Sequence, residues 1–124
     1  MKDINTTADL IPGTIFKCSW GGMSDYYELI GTTPKSVKLR KIRWETCAAP
    51  EGEEASDPVH RWTRICRDKD GHTIPEKDWQ GNDKVYTKRV INLRKGGITF
   101  KSPNYSGDAF VSICTNDYTE MYWG

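Results

Sequence analysis

The chain has 124 residues, enough for one hydrophobic core but not for two independent ones, so we expect a single domain spanning residues 1–124. Its 36% hydrophobic residues, five Trp and six Tyr are typical of a globular protein and exclude an intrinsically disordered chain. Eighteen basic and seventeen acidic side chains leave a formal charge of +1, so binding to a polyanion would require a local basic patch.

Alternating apolar and polar residues predict a β-strand in segment 14–20, where every second residue from Phe16 to Trp20 is apolar. A turn is expected at residues 21–22, where two consecutive glycines interrupt this pattern. Segment 25–30 is rich in aromatic and β-branched residues and ends at a Gly-Thr-Thr-Pro sequence, which predicts a second strand. We expect these two strands to form a hairpin.

Segment 36–44 alternates as well, but its apolar residues change parity between Leu39 and Ile42. A β-bulge is the usual way to absorb such a change, so we expect a bulge here that bends the strand. Residues 48–58 contain two prolines, one glycine and four acids and have no apolar face, which predicts an exposed acidic loop. The acids of this loop are Glu51, Glu53, Glu54 and Asp57.

The second half of the chain contains four further strand candidates. Segment 59–67 predicts a strand, although its alternation does not identify the buried face. A turn at Asp70-Gly71 and an irregular connection over 73–83 follow, and the sequence allows a short helical turn at 76–79. The last strand candidates are segments 85–92, 98–101 and 109–115.

These elements predict an all-β fold of about six to eight short strands with little helix. Such strands protect their edges by curling, so we expect a strongly curled antiparallel sheet or an SH3-like barrel. Residues 1–12 are expected to be a flexible N-terminus, and the aromatic tail 118–124 is expected to pack against the body. The interior is expected to contain Phe16, Trp20, Val37 and Leu39.

Patterns that would indicate catalysis or a cofactor are lacking. The sequence has no G-x-S-x-G motif, no P-loop and no C-x-x-C, so we expect no enzymatic activity and no cofactor. His60 lies near Asp57 and Cys66 in the sequence, but a single His on a strand is usually an ordinary hydrogen-bonding residue. With only two His and widely spaced Cys, we expect no metal site and four free, mostly buried thiols. The cysteines are Cys18, Cys47, Cys66 and Cys114.

Two basic stretches are the most informative feature. Segment 35–43 has five basic residues, segment 84–101 has six, and neither contains an acid. Lys and Arg can neutralise phosphates while a neighbouring Trp or Tyr stacks on a base, and adjacency in the sheet would merge both stretches into one cationic face. The alternative is that these charges only solvate the sheet and protect its edges. The candidate ligand-binding residues are Lys38, Arg40, Lys41, Arg43, Trp44, Tyr86, Lys88 and Arg89.

The sequence GTIFKCSWG at residues 13–21, followed by DYYELI at 25–30, resembles the N-terminal signature of small proteins encoded by bacteriophages, prophages and mobile elements. That signature runs roughly G-x-I-F-x-x-S-W-G-Y-D-x-T-N-x-x-F-Y-x-V, and a basic strand similar to residues 35–42 follows it. The KRV sequence at 88–90 and the final YWG at 122–124 are also similar to these proteins. The resemblance therefore involves both ends of the chain.

Residues 22–24 depart from this signature, which has a longer aromatic and polar turn at that point. The resemblance implies a phage-type accessory protein that modulates a host system, and it implies no specific activity. The N-terminal ten residues are polar and no stretch reaches membrane-spanning length, so we expect the bacterial host cytoplasm and no membrane contact.

The leading hypothesis is a non-enzymatic binding module for an anionic ligand, either nucleic acid or a nucleotide. The alternative is a protein-directed inhibitor or modulator of a bacterial host enzyme or defence component, which would dock through exposed aromatic residues and the acidic loop.

Overall fold

A computed structural model describes residues 4–20, 23–48, 60–104 and 110–122. Most of the predicted acidic loop, including its four acids, lies outside the described residues, as does the side chain of Trp20. A short 3-10 turn at Thr7–Asp9 precedes the strands. The strands are β1 (Ile15–Trp20), β2 (Met23–Thr33), β3 (Ser36–Ile42), β4 (Trp44–Cys47), β5 (His60–Ile65), β6 (Val85–Asn92), β7 (Ile98–Phe100), β8 (Phe110–Cys114) and β9 (Tyr118–Tyr122).

The all-β prediction is confirmed. Six antiparallel strands form one nearly closed, barrel-like sheet in the order β7-β6-β3-β2-β1-β8. Strands β4, β5 and β9 form a second sheet, in which β5 lies in the centre. The described part of the chain therefore has nine strands, compared with the six to eight expected.

The main core lies inside the curled sheet, where alternation on each strand directs every second side chain inward. Phe16, Val37 and Leu39 are completely buried there, as predicted. The ring of Phe16 packs edge-to-face on Phe100 with 5.2 Å between ring centroids. The buried members of this core are Leu10, Phe16, Cys18, Tyr27, Leu29, Val37, Leu39, Ile98 and Phe100.

A second, smaller core explains why the apolar residues of β3 change from one face of the strand to the other. Ile42 is buried with Ile15, Tyr26 and Ile65, separately from the core that contains Leu39. The predicted bulge between Leu39 and Ile42 is wrong, because β3 pairs with β2 in unbroken register over these residues. The register shift lies in β2 instead, between Leu29 and Gly31.

A buried hydrogen bond between Tyr26 and Thr63 connects the two sheets. The Thr63 hydroxyl donates its single proton to the Thr119 carbonyl at 3.2 Å. In the 2.9 Å bond between the Tyr26 hydroxyl and Thr63 Oγ1, Tyr26 is therefore the donor. Thr63 and Ile65 are both buried, which identifies the inward face of β5. The second sheet is therefore held to the first by polar as well as apolar contacts.

Two similar hairpin turns occupy the connection between β5 and β6. Asp68 Oδ1 and Asp78 Oδ1 each accept hydrogen bonds from the backbone amides two and four positions later, at 2.8–3.0 Å. Each turn has a glycine with positive φ, 83° at Gly71 and 85° at Gly81. The helical turn allowed at 76–79 is not formed. These residues belong instead to the second hairpin, in which Lys77 pairs with Asp83.

The N-terminal segment lies against the barrel from residue 4 onward. Leu10 is buried in the main core, and the Thr7 hydroxyl donates to the Thr33 carbonyl at 2.6 Å. The amide of Ile98 donates to the carbonyl of Ile4 at 2.8 Å. These contacts place residues 4–10 beside the β2–β3 turn and the start of β7. None of the helical turns that the structure describes is long and apolar enough to cross a membrane.

Candidate anion-binding surface

The two basic strands β3 and β6 are neighbours in the sheet. They pair antiparallel, with Val37 opposite Lys88 and Lys38 opposite Thr87. Residues directly opposite each other share a face of the sheet, and Val37 points into the core. Lys38 and Arg40 therefore point outward, and so does Arg89, which pairs with Ser36.

Two of the candidate residues on β6 belong to the inner side of this strand. Tyr86 is half-buried against the main core, and its ring packs edge-to-face on Tyr27 with 5.9 Å between centroids. Lys88 is half-buried opposite Val37. The ring of Tyr86 is thus used in packing and does not lie beside the outward-facing cations.

Carboxylates neutralise two other candidates, Arg40 and Lys41. Arg40 pairs with Glu28 at 2.6 Å and, more loosely, with Asp83 at 3.7 Å. Lys41 pairs with Glu76 at 3.0 Å. Burial alone would raise the pKa of Glu76, but hydrogen bonds from Lys84 and Lys41 hold this pKa below its ordinary value. These two cations therefore stabilise the far end of the strand pair and are not free to bind an anion.

The remaining two candidates, Arg43 and Trp44, lie away from the β3–β6 face. Trp44 begins β4, where its indole nitrogen donates to Asp25 Oδ1 at 3.3 Å and its ring packs against Tyr26. Arg43 separates β3 from β4 and lines a different groove of the molecule. The eight candidate residues are thus divided among the outer face, the barrel interior and the second sheet.

Three cations at one end of the strand pair form what we call the cationic surface: Lys35, Lys38 and Arg89. Among the described side chains, none of the three lies within 4.0 Å of a carboxylate oxygen. Lys35 was in a basic stretch of the sequence but was not among the candidates. The turn brings it to β6, because its carbonyl accepts a hydrogen bond from the Val90 amide at 2.9 Å.

Two shallow recesses adjoin the cationic surface. The first has a volume of about 260 Å³, and Lys35 and Arg89 line it together with Thr6 and Asn92. The second has a volume of about 190 Å³, and its lining includes Lys38 and several hydroxyl side chains. Hydroxyl and amide groups beside Lys and Arg are the donors that commonly contact phosphate oxygens. The surface can therefore bind an oxyanion by charge and by hydrogen bonds.

Asp68, Asp70 and His72 are the described residues with metal-ligand atoms within 4.8 Å of one another, and all three are exposed. Backbone hydrogen bonds, first that from His72, lower the pKa of Asp68 and already orient its carboxylate. The hydrogen bonds of the first hairpin turn therefore account for the proximity of these three side chains. All four cysteines are free thiols, but the expectation that most of them are buried is wrong, because only Cys18 is buried and the other three are half-buried.

Comparisons of the chain with models of protein families, with curated proteins and with solved structures find no match.

Proposed function

We propose that the protein is a non-enzymatic binding module that holds a nucleic acid strand on the cationic surface. The observation that carries this proposal is that, among the described residues, carboxylates pair with some cations of these strands and not with others. Arg40 and Lys41 on β3 are neutralised, whereas Lys35, Lys38 and Arg89 have no described partner. Cations without a carboxylate partner can exchange their counterions for phosphates, and the release of those counterions favours binding.

The chemistry of the surface favours contacts with the backbone of the nucleic acid. Lys38 and Arg89 are diagonal neighbours on one face, and such positions lie about 7–8 Å apart. Ser36 and Thr87 add hydroxyl donors between them, while Tyr86 faces the other side. Phosphate contacts set position and affinity without reading the sequence. We therefore propose binding with little sequence preference.

The resemblance to phage-encoded proteins is the basis for a second part of the proposal. We propose that the protein acts as a phage-type accessory factor in the cytoplasm of a bacterial host. No membrane partner is proposed.

Charge removal tests the nucleic acid proposal. We expect the double variant Lys38→Gln/Arg89→Gln to bind a fluorescent single-stranded oligonucleotide about tenfold more weakly than the unaltered protein at low salt, because two phosphate contacts are lost. Fluorescence anisotropy measures the affinity. The matched control Lys69→Gln/Lys77→Gln removes the same charge from the two hairpins between β5 and β6 and should bind within about twofold of the unaltered protein. Equal losses in both variants, or no salt-sensitive binding at all, would contradict the proposal.

Exposed aromatic residues favour the second candidate function, which is docking to a bacterial host protein. Trp79 is 91% exposed at the tip of the second hairpin, and Phe110 at the start of β8 is 84% exposed. Large aromatic residues of this kind are frequent anchors of protein interfaces. A host protein that is captured stoichiometrically, survives nuclease treatment and is lost with Trp79→Ser would support this candidate over the first.

A further inference from the structure

A larger groove lies on the second sheet, away from the cationic surface. It has a volume of about 510 Å³, within the usual range for small-molecule sites. Its walls come from β4, β5, the start of β9, Arg43 and the first hairpin with the residue that follows it, Ile74. Neither the sequence motifs nor the proposed nucleic acid surface accounts for it. The groove is lined by Arg43, Glu45, Arg64, Ile65, Cys66, Arg67, Ile74, Asp117 and Tyr118.

Two of the three arginines in this groove are already paired. Arg67 forms a bidentate pair with Asp117, at 2.7 and 2.9 Å, and also donates to the Gly71 carbonyl at 2.8 Å. Arg64 pairs with Glu45. Hydrogen bonds, first to Tyr118 and then to Glu45, raise the pKa of Arg64. These pairs cancel in charge.

Arg43 supplies the remaining charge of the groove. No described carboxylate lies within 4.0 Å of its guanidinium, and the side chain is exposed. Its backbone is held on both sides, since its amide donates to the Ile74 carbonyl at 2.8 Å and its carbonyl accepts from the Cys66 amide at 3.0 Å. Burial raises the pKa of the Cys66 thiol, so this neighbour is neutral near pH 7 and does not repel an anion. Counted over the described side chains, the groove therefore carries one unneutralised positive charge, on a residue whose backbone is held by hydrogen bonds.

The remaining lining is apolar or aromatic. Ile65 is buried, Ile74 and Tyr118 are half-buried, and all three line the groove. A guanidinium can bind a phosphate through two parallel hydrogen bonds, and a planar ring can stack on tyrosine. We infer that this groove is a binding site for a small molecule that combines one phosphate group with a planar ring, of the size of a nucleoside monophosphate. The phosphate contacts Arg43, and the ring lies over Ile74 and Tyr118.

Isothermal titration calorimetry with the four nucleoside monophosphates tests this inference. We expect at least one of them to bind, and the Arg43→Gln variant to bind it about tenfold more weakly, because the bidentate contact is lost. Arg43→Lys keeps the charge but not the paired donors of the guanidinium, so its affinity should lie between those of the unaltered protein and Arg43→Gln. The corresponding nucleoside without phosphate should also bind about tenfold more weakly than the monophosphate.

The cationic surface provides the control. Lys38→Gln/Arg89→Gln should bind the monophosphate as the unaltered protein does, so this test and the test of nucleic acid binding can fail independently. The inference would be overturned if no monophosphate bound at millimolar concentration, if Arg43→Gln bound it as tightly as the unaltered protein, or if the nucleoside bound equally well.

Discussion

Burial affects the protonation of Cys18 and of two buried tyrosines. Cys18 is completely buried, and burial raises the pKa of its thiol to about 11, with a smaller opposing effect from a hydrogen bond to Ser102. Burial also raises the pKa of both Tyr26 and Tyr27. The raised pKa values keep all three side chains neutral into mildly alkaline solution, so Cys18 is not a reactive thiolate.

This burial predicts that the protein loses stability in alkali. The pKa of an unfolded thiol is about 8.5, so above that pH the unfolded chain binds fewer protons than the folded one. The stabilisation is complete below about pH 8.5 and is lost as the pH rises toward the folded pKa of Cys18. We expect the free energy of unfolding, measured with urea, to fall by about 2 kcal/mol between pH ~8.5 and ~10.5 from Cys18 alone. The tyrosines act in the same direction.

The variant Cys18→Ala separates the thiol from these tyrosines. It should be less stable below pH ~8.5, where the thiol is protonated in both states, but its free energy of unfolding should fall less steeply above that pH because the titrating thiol is gone. A slope equal to that of the unaltered protein would show that Cys18 does not titrate as its burial requires.

At the scale of the elements, the two hairpins between β5 and β6 depend on glycine for their geometry. Gly81 has a φ of 85°, which an L-amino acid with a side chain adopts only at a cost. We expect Gly81→Ala to lower the free energy of unfolding by about 1 kcal/mol, measured by urea denaturation. The matched control is Gly31→Ala in β2, where a Cβ would meet no atom within 4 Å and φ is not positive. Similar destabilisation by both substitutions would contradict this account.

Local alternation was sufficient to predict the individual strands but not the way they are divided between the sheets. Segments 14–20 and 85–92 were predicted within one residue of β1 and β6. Segment 36–44 was predicted as one bent strand, whereas the chain leaves the first sheet at Arg43 and enters the second as β4. Alternation reports that a residue such as Ile42 is buried, but not which of two cores buries it, because that depends on residues distant in the sequence.

At the scale of the whole molecule, the fold determines which cations remain available. The basic stretches contain no acids. From the sequence alone, their adjacency in the sheet could be stated only as the condition under which they would form one cationic face. The acids that neutralise Arg40 and Lys41 come from β2 and from the second hairpin, far away in the sequence. A search for acid-free segments cannot detect such partners. Lys38 and Arg89 were therefore predictable as candidates, whereas the exclusion of Arg40 and Lys41 required the structure.

The central claim is that a nucleic acid strand contacts the cationic surface, and nuclear magnetic resonance tests this most directly. A short single-stranded oligonucleotide is titrated into ¹⁵N-labelled protein at low salt, and the backbone amide signals are followed. We predict that the largest shifts occur at residues 35–38 and 87–90, while the hairpin tips at 68–72 and 78–82 are unchanged. If the signals of residues 35–38 and 87–90 did not shift at saturation, the claim would be contradicted.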